Sequence, residues 1–346
     1  MTSPVTTTPE LTEQSLDDFF DVTSNVTLRP SYEGGNISTT IGFKCVHYLI
    51  EAAVLEHFRS AGLGATDLYV DYGVGFDVVS VNTRLHTVLT LDDAVAVEVK
   101  PVTKETDSRL RFKITAYVPR EEGQRKAVTT TFEVALRAID HVEGAKPLPE
   151  KLSRFVVPRL GQATPREITA VPVDNIDLSS QRGIGTRAAD PVLTEIIGGD
   201  NAFGWKWRVP YFYCHFTSHM QMSGFLRQME EVLHLFVADR GIAIHRLLEE
   251  RSWIPVVTKC DVEITDEVRI EDELYTVFTI EDIFKSVLFT ARMDCYVVRD
   301  GGLVQVSTGH ITHGYVTKES PEKDWSLCTF DEEVMAALSG KNLAGN

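Results

Sequence analysis

The feature that most constrains the fold is a pattern of apolar residues that occurs twice in the chain: a helical spacing followed by a strand spacing. In each copy, apolar residues first recur at three- and four-residue steps, which predicts an amphipathic helix. The period then changes to two, as in strands that bury one face. The helical positions are Val46, Leu49, Ile50, Ala53, Val54 and Phe58 in the first copy, and Phe225, Leu226, Met229, Val232, Leu233 and Phe236 in the second.

Glycine-containing breaks delimit the predicted elements. The two helices are expected to end near Gly62 and Gly241, because glycine is the usual residue after a helix C-terminus. A turn at Glu121-Glu122-Gly123 joins the alternating runs of residues 109–118 and 128–136. Asp300-Gly301-Gly302 joins the runs of residues 284–298 and 303–306 in the same way. Both pairs of runs are therefore predicted to be antiparallel hairpins.

Four landmarks place the two copies nearly in register, and an internal duplication is the simplest account of that agreement. Each unit is predicted to be one long helix followed by antiparallel strands, an α+β class of fold. The landmark pairs, whose separations along the chain agree to within six positions, are Glu51 with Glu231, Asp77-Val78 with Asp261-Val262, Asp93 with Asp272, and Gly123 with Gly301.

The predicted domains follow from these patterns. The first copy spans residues 27–140 and the second spans 206–318, and between them residues 141–205 form a proline-rich linker without periodicity, expected to run over the surface. Residues 1–26 are expected to be a flexible tail, and 319–346 a C-terminal segment.

Composition excludes several classes of function. The net charge of −16 disfavours nucleic acid as a partner, and no run approaches the ~18 apolar residues of a membrane span. The five cysteines are odd in number and widely spaced, without a C-x-x-C pair, which is typical of neither a disulfide framework nor a zinc site. We therefore expect a protein of the cytoplasm that uses no cofactor and no metal.

The segment from Cys214 to Glu231 carries a resemblance to a known family. It is similar to the acyl-CoA and acyl-carrier thioesterase motif Asp-x-x-x-Gly-His-Val-Asn-Asn-x-x-Tyr-Leu-Arg-x-x-Glu-Glu. Two departures stand out: Cys214 occupies the position of the family's Asp, and Gln221 with Met222 replaces its Asn pair. The residues that match are His219, Phe225, Leu226, Arg227, Glu230 and Glu231.

This resemblance implies a double hotdog, in which each copy's sheet wraps its own helix and the two helix starts meet across one crevice. It implies a thioesterase for an acyl-carrier-protein or CoA thioester. The mixed motif most resembles two-copy enzymes of bacterial secondary metabolism, some of which add glycine to a 2-enoyl carrier-bound chain and yield a β-amino acid. Glycine is therefore a further expected partner, and a homodimer is left open.

Thioester hydrolysis needs a polarised carbonyl and an activated nucleophile. Ser223-Gly224 and Gly42 lie at the predicted helix starts, where backbone N–H groups and the helix dipole can stabilise an oxyanion. His215 and His219 are the leading candidate bases because imidazole titrates near neutrality. The alternative for each glycine is turn geometry, and for each histidine a structural role.

The helices supply further candidates. Glu51 and Glu231 are candidate nucleophiles or bases, since hotdog thioesterases of one branch use a helix Glu; Glu231 is preferred over its neighbour Glu230 by its register with Glu51. For the first copy, register on Tyr48 or on Glu51 places Gly42 or Thr39 at the histidine position. The other candidates for substrate contacts are Asn36, Tyr48, Arg227 and Lys44, of which Arg227 or Lys44 could hold a glycine carboxylate.

Two other classes of function remain open at the sequence level. A double-hotdog hydratase or dehydratase would use an Asp and a His on one loop, and neither the loop of residues 32–36 nor that of 214–219 has this spacing. A non-catalytic acyl-binding module would explain why the usual carboxylate is missing.

Overall fold

The computed structural model describes residues 9–176, 183–185, 190–198, 201–317 and 326–340. The chain divides into two compact units: residues up to 35 together with 45–159, and residues 36–44 together with those from 160 onward. Among the described residues, no helix combines the length and the apolar composition of a membrane span.

The first unit is an antiparallel sheet and its central helix, α2. The strands lie in the order β1-β3-β4-β5-β2, and β6 pairs in parallel with β5. The elements are α1 (Glu13–Asp21), β1 (Ser24–Leu28), α2 (Phe43–Ser60), α3 (Ala65–Tyr72), β2 (Val74–Leu85), β3 (Val95–Pro101), β4 (Leu110–Arg120), β5 (Gly123–Ala138), α4 (Glu150–Ser153) and β6 (Val156–Val157).

The second unit repeats this plan, with α6 as its central helix. Its strands lie in the order β10-β13-β12-β11-β9-β8, and β7 pairs with β13. The elements are β7 (Arg166–Glu167), β8 (Gly183–Gly185), α5 (Pro191–Ile196), β9 (Ala202–Arg208), α6 (Met222–Asp239), α7 (Ile244–Arg251), β10 (Trp253–Ile264), β11 (Glu273–Phe284), β12 (Leu288–Arg299), β13 (Gly302–Thr317) and α8 (Glu332–Leu338).

The predicted helices and hairpins are confirmed. Helices α2 and α6 are each 18 residues long, and Gly62 and Gly241 follow them with φ near +80°. Their apolar positions are buried, as the three- and four-residue spacing predicts. In β4 the burial alternates along the strand, so one face packs in the core.

The two copies are related by one constant offset along the chain. Helices α2 and α6 are separated by the same number of positions as strands β2 and β10 and as strands β5 and β13. The irregularities follow this offset too, since β2 is bulged between Val78 and Ser80, and β10 between Val257 and Lys259. Bulges are specific features of a strand pair, so their shared positions support a duplication. The paired starts are Phe43 with Met222, Val74 with Trp253, and Gly123 with Gly302.

This offset corrects the register expected from the sequence. The counterpart of Glu51 is Glu230, not Glu231, and the counterpart of Asp77 is Val256 in β10, not Asp261. The counterpart of His219 is Thr40, so both earlier choices, Gly42 and Thr39, were wrong. Charged residues served as landmarks in the sequence, but burial of the apolar face is what fixes strand register.

The predicted tail and linker differ from the structure. Helix α1 and strand β1 lie largely within the expected tail, and β1 pairs with β3 over five residues. Strand β9, which begins inside the expected linker, is the counterpart of β1 and pairs with β11. Residues 1–8 of the tail, and residues 319–325 and 341–346 of the C-terminal segment, lie outside the described residues.

Part of the linker is packed against the second sheet instead of crossing the surface freely. Val192 and Leu193 of α5 are fully buried in a cluster with residues of β11 and β13. The ammonium group of Lys206 in β9 is also completely enclosed. It forms ion pairs with Asp190 (3.5 Å) and Glu273 (2.9 Å), and it donates to oxygens of linker residues 173 and 175. A buried charge requires such partners, so the linker and strand β9 depend on each other.

Candidate functional site

The loop that leads into α6 is held by a backbone bridge and by backbone hydrogen bonds to residues 268–270. A single turn at Tyr211–Tyr213 precedes it, and Cys214 bridges Met220 across it. The backbone N–H of Met220 donates to the carbonyl of Val268 (2.7 Å), and the N–H of Ile270 donates to the carbonyl of Ser218 (3.0 Å). These bonds hold the predicted histidine segment in one conformation beside the start of the helix.

His219 lies inside this loop and is only 2% exposed. The hydroxyl of Thr217 lies 3.0 Å from its Nδ1 atom, and the side-chain amide of Gln221 donates to that hydroxyl at 2.8 Å. Gln221 takes the place of the first Asn of the thioesterase motif, so an amide is kept near the histidine. The residues Thr217 and Gln221 were not predicted as site residues, because their contact with His219 depends on the closed loop.

His215 lies on the exposed side of the same loop. Its Nε2 atom is 2.8 Å from the hydroxyl oxygen of Ser223, which belongs to the first turn of α6. The structure therefore brings together two residues that the sequence assigned separately to catalysis and substrate binding. The two histidines differ in burial, because His215 is exposed and His219 is buried.

The N-terminus of α6 lacks a capping side chain. Gln221 occupies the N-cap position, but no side-chain bond caps the helix there, because its amide bonds Thr217. First-turn N–H groups of an uncapped helix are suited to a partial negative charge. Gly224 lies in this turn, and a Cβ atom there would be 2.9 Å from the carbonyl oxygen of Tyr213. Close packing of the loop on the helix is thus a sufficient reason for this glycine.

The two adjacent glutamates of α6 have different partners. Glu231 accepts a hydrogen bond from the hydroxyl of Tyr213 at 2.8 Å. Glu230 forms an ion pair with Lys44, so that ammonium group is already engaged by a carboxylate. Arg227 is half-buried on the same helix.

The candidates of the first copy have other surroundings. The backbone of Asn36 closes a tight turn, its N–H donating to the carbonyl of Thr40 at 2.7 Å. Gly42 directly precedes α2, and Tyr48 is half-buried within it. Glu51 is partly exposed by surface area yet closely surrounded by protein, and this desolvation raises its pKa to about 7. A carboxyl that titrates near neutrality is suited to acid–base chemistry.

Cys214, which replaces the motif's Asp, is not a candidate nucleophile. Its thiol is buried, and desolvation together with the nearby Asp272 raises its pKa to about 11. At neutral pH it is therefore protonated, whereas a reactive cysteine needs a thiolate. Within the part of the chain that the structure describes, no three His, Cys, Asp or Glu side chains are grouped so as to hold a metal ion.

Comparisons with known proteins agree with this architecture. Residues 209–338, which include most of the second copy, match the model of the thioesterase-like superfamily. No curated protein sequence matches the chain.

Two solved structures extend the similarity to most of the chain. One is a Lactobacillus plantarum protein assigned as an oleoyl thioesterase, with 12% identity and a TM-score of 0.54 over 85% of this chain and 95% of that one. The other is the 12:0-ACP thioesterase of Umbellularia californica, with 10% identity and a TM-score of 0.52 over 85% of this chain and 97% of that one. At these identities the similarity concerns the fold, which is an α+β fold of two hotdog domains in tandem.

Proposed function

We propose that this protein hydrolyses an acyl thioester, carried by either an acyl-carrier protein or CoA. The observation that carries the proposal is the corner where this loop meets the uncapped start of α6, because the loop carries the buried His219 and the exposed His215, which contacts Ser223. Its support from outside the chain is the thioesterase-like family match over the same residues.

The corner has the parts that thioester hydrolysis requires. The substrate carbonyl oxygen is placed at the first turn of α6, where backbone N–H groups stabilise the charge that develops on it. A histidine of the loop removes a proton during the attack and returns it to the departing thiolate. Apart from this corner, Glu51 of the first copy has a pKa raised to about 7, which suits its carboxyl to proton transfer.

The test is turnover of a panel of acyl-CoA and acyl-carrier thioesters, followed by release of free thiol. Because His219 is buried, His219→Gln is preferred to the smaller alanine, which leaves a cavity. We expect kcat/KM per folded molecule to fall by ~10²-fold or more, the usual effect of losing a general acid or base or the residue that positions it. His234→Gln, at an exposed position of α6, is the control and should retain wild-type turnover.

Three results would count against the proposal or its assignment of residues. No turnover of any thioester by the folded protein would favour an acyl-binding module. Conversion of a 2-enoyl thioester to its 3-hydroxy product without release of thiol would favour a hydratase. Full activity in His219→Gln, with only a lower melting temperature, would assign that histidine to structure.

A finer part of the proposal concerns glycine and the metabolic setting. We propose a cytoplasmic enzyme of bacterial secondary metabolism in which glycine adds to a 2-enoyl thioester before hydrolysis. Arg227 is the preferred cation for the glycine carboxylate because it lies in the second turn of α6, close in the chain to the histidine loop. Glycine-dependent formation of a 3-(carboxymethylamino)acyl product, lost in Arg227→Met, is the expected result; thiol release unaffected by glycine would contradict this part alone.

A further inference from the structure

His215 and Ser223 form a pair that the proposed hydrolysis by water does not need. The 2.8 Å separation between imidazole Nε2 and the serine oxygen is within hydrogen-bonding range, so the hydroxyl can donate its proton directly to the ring. His215 is exposed and Ser223 is half-buried, which leaves the pair accessible to a substrate from solvent. A nucleophile and a base at this distance are the recognisable core of covalent acyl transfer.

We infer that Ser223 is the nucleophile of the thioesterase reaction and that His215 is its general base, so that hydrolysis passes through an acyl-serine ester. This inference rests on the proposed function, because it names the residues that attack the same thioester. It assigns different roles to the two histidines: His215 transfers the protons, and the buried His219, in contact with the Thr217 hydroxyl, is a positioning residue of the loop.

The placement of Ser223 favours attack on a bound carbonyl. It lies in the first turn of the 18-residue helix α6, so the nucleophilic oxygen and the N–H groups that would stabilise the oxyanion belong to one short segment. The bridge between Cys214 and Met220, and the bond from the Thr217 N–H to the His215 carbonyl (2.7 Å), hold the segment that carries His215 next to that turn. The base therefore needs no large movement to meet the hydroxyl.

The first copy lacks this pair. At the constant offset between the copies, Asn36 occupies the position of His215, and Lys44 that of Ser223. The Asn36 amide cannot act as a base, and Lys44 has no hydroxyl to serve as the nucleophile. A pair needed only for folding of the loop would be expected in both copies, because both form the same short turn and bridge before the helix.

The reaction balances without any further reactant. The Ser223 proton moves to His215 Nε2 as the serine oxygen bonds to the thioester carbonyl carbon; the carbon–sulfur bond then breaks, and the thiolate takes the proton from the imidazole. Water next attacks the serine ester, giving its proton to His215, which returns it to the serine oxygen as the acid leaves. The products are one free thiol and one carboxylic acid.

Two probes test the inference. The first is a fluorophosphonate, which reacts with serines activated by a base and needs no thioester. We expect the wild-type protein to be labelled on the peptide that contains Ser223, Ser223→Ala to be unlabelled, and His215→Gln to react ~10²-fold more slowly. Ser218→Ala, at an exposed serine of the same loop, should be labelled like the wild type.

The second probe is rapid acid quench after mixing with an accepted acyl thioester, followed by mass spectrometry. A mass increase equal to the acyl group on the Ser223 peptide is expected, and Ser223→Cys should also trap it. Turnover in Ser223→Ala at the wild-type rate, with no label and no adduct in the wild type, would overturn the inference while leaving thioester hydrolysis intact. Labelling of Ser223 without turnover of any thioester would keep the nucleophile and refute the substrate; absence of both would refute both.

Discussion

His313 should make the second unit sensitive to mild acid. It lies in β13, is 3% exposed, stacks on Phe289 at 5.3 Å, and its two ring nitrogens have no hydrogen-bond partner among the described residues. Desolvation lowers its pKa from 6.5 to about 3. Below pH 6.5 the unfolded chain therefore binds a proton at His313 that the folded chain does not. As a result, the free energy of unfolding has its full value above pH 6.5 and decreases as the pH falls from 6.5 towards 3.

The size of the loss follows from the two pKa values. The gap between about 3 and 6.5 corresponds to roughly 5 kcal/mol at its acidic limit, and to about 2 kcal/mol at pH 5. His313→Leu removes this contribution with a side chain of similar volume, and the first copy already carries an aliphatic residue, Val134, at the equivalent position. For a unit of this size, the difference at pH 5 amounts to about 4–8 °C in melting temperature.

Thermal unfolding at pH 7.5 and pH 5 tests the prediction. The wild type should lose more stability than His313→Leu between these two conditions, whatever their difference at pH 7.5. The exposed-site control His234→Gln should keep the wild-type dependence. Equal losses in the wild type and His313→Leu would refute the reasoning that a neutral, desolvated imidazole is required by the fold.

Two further predictions concern the candidate site. Gly224→Ala should lower the free energy of unfolding by about 1–3 kcal/mol, because its Cβ would be 2.9 Å from the carbonyl oxygen of Tyr213. Gly35→Ala is the control, since a Cβ there makes ordinary contacts; equal melting temperatures for the two variants would contradict the packing argument. Glu51→Gln should lose less stability than the wild type between pH 5 and pH 8. The folded pKa of about 7 lies above the unfolded value of 4.5, so the contribution of protonated Glu51 to stability is complete below pH 4.5 and is lost as the pH rises through 7. Melting temperatures that change with pH in the same way in the wild type and Glu51→Gln would contradict this prediction.

The sequence predicted the elements whose signals are local. The apolar spacing of α2 and α6 and the alternation of β4 follow from the pitch of each element, so few neighbours are needed to recognise them. Strand β1 was missed because it is a short strand that becomes regular by pairing with β3, far along the chain. Such pairing leaves little trace in the strand itself.

The site was predictable by residue type, but its geometry was not. His215, His219 and Ser223 could be selected because imidazole and hydroxyl groups beside a predicted helix start are suited to acyl chemistry. Their grouping could not be predicted, since it depends on how the loop closes, with a backbone bridge between Cys214 and Met220. The register of the glutamates failed for a related reason: two adjacent carboxylates differ by only ~100° on a helix, and nothing in the sequence decides between them.

The constant offset also separates what the fold needs from what the chemistry needs. Core positions of the two helices stay apolar in both copies, as Ile50 and Met229 do, because either sheet must bury that face. The pair proposed for acyl transfer has diverged completely, with an amide and an ammonium group in the first copy where the second has His215 and Ser223. Packing constrains both copies alike, whereas a nucleophile and its base are required only once. Residues that differ between two equivalent, well-packed positions are therefore the ones to mutate first when the activity of a duplicated enzyme is to be located.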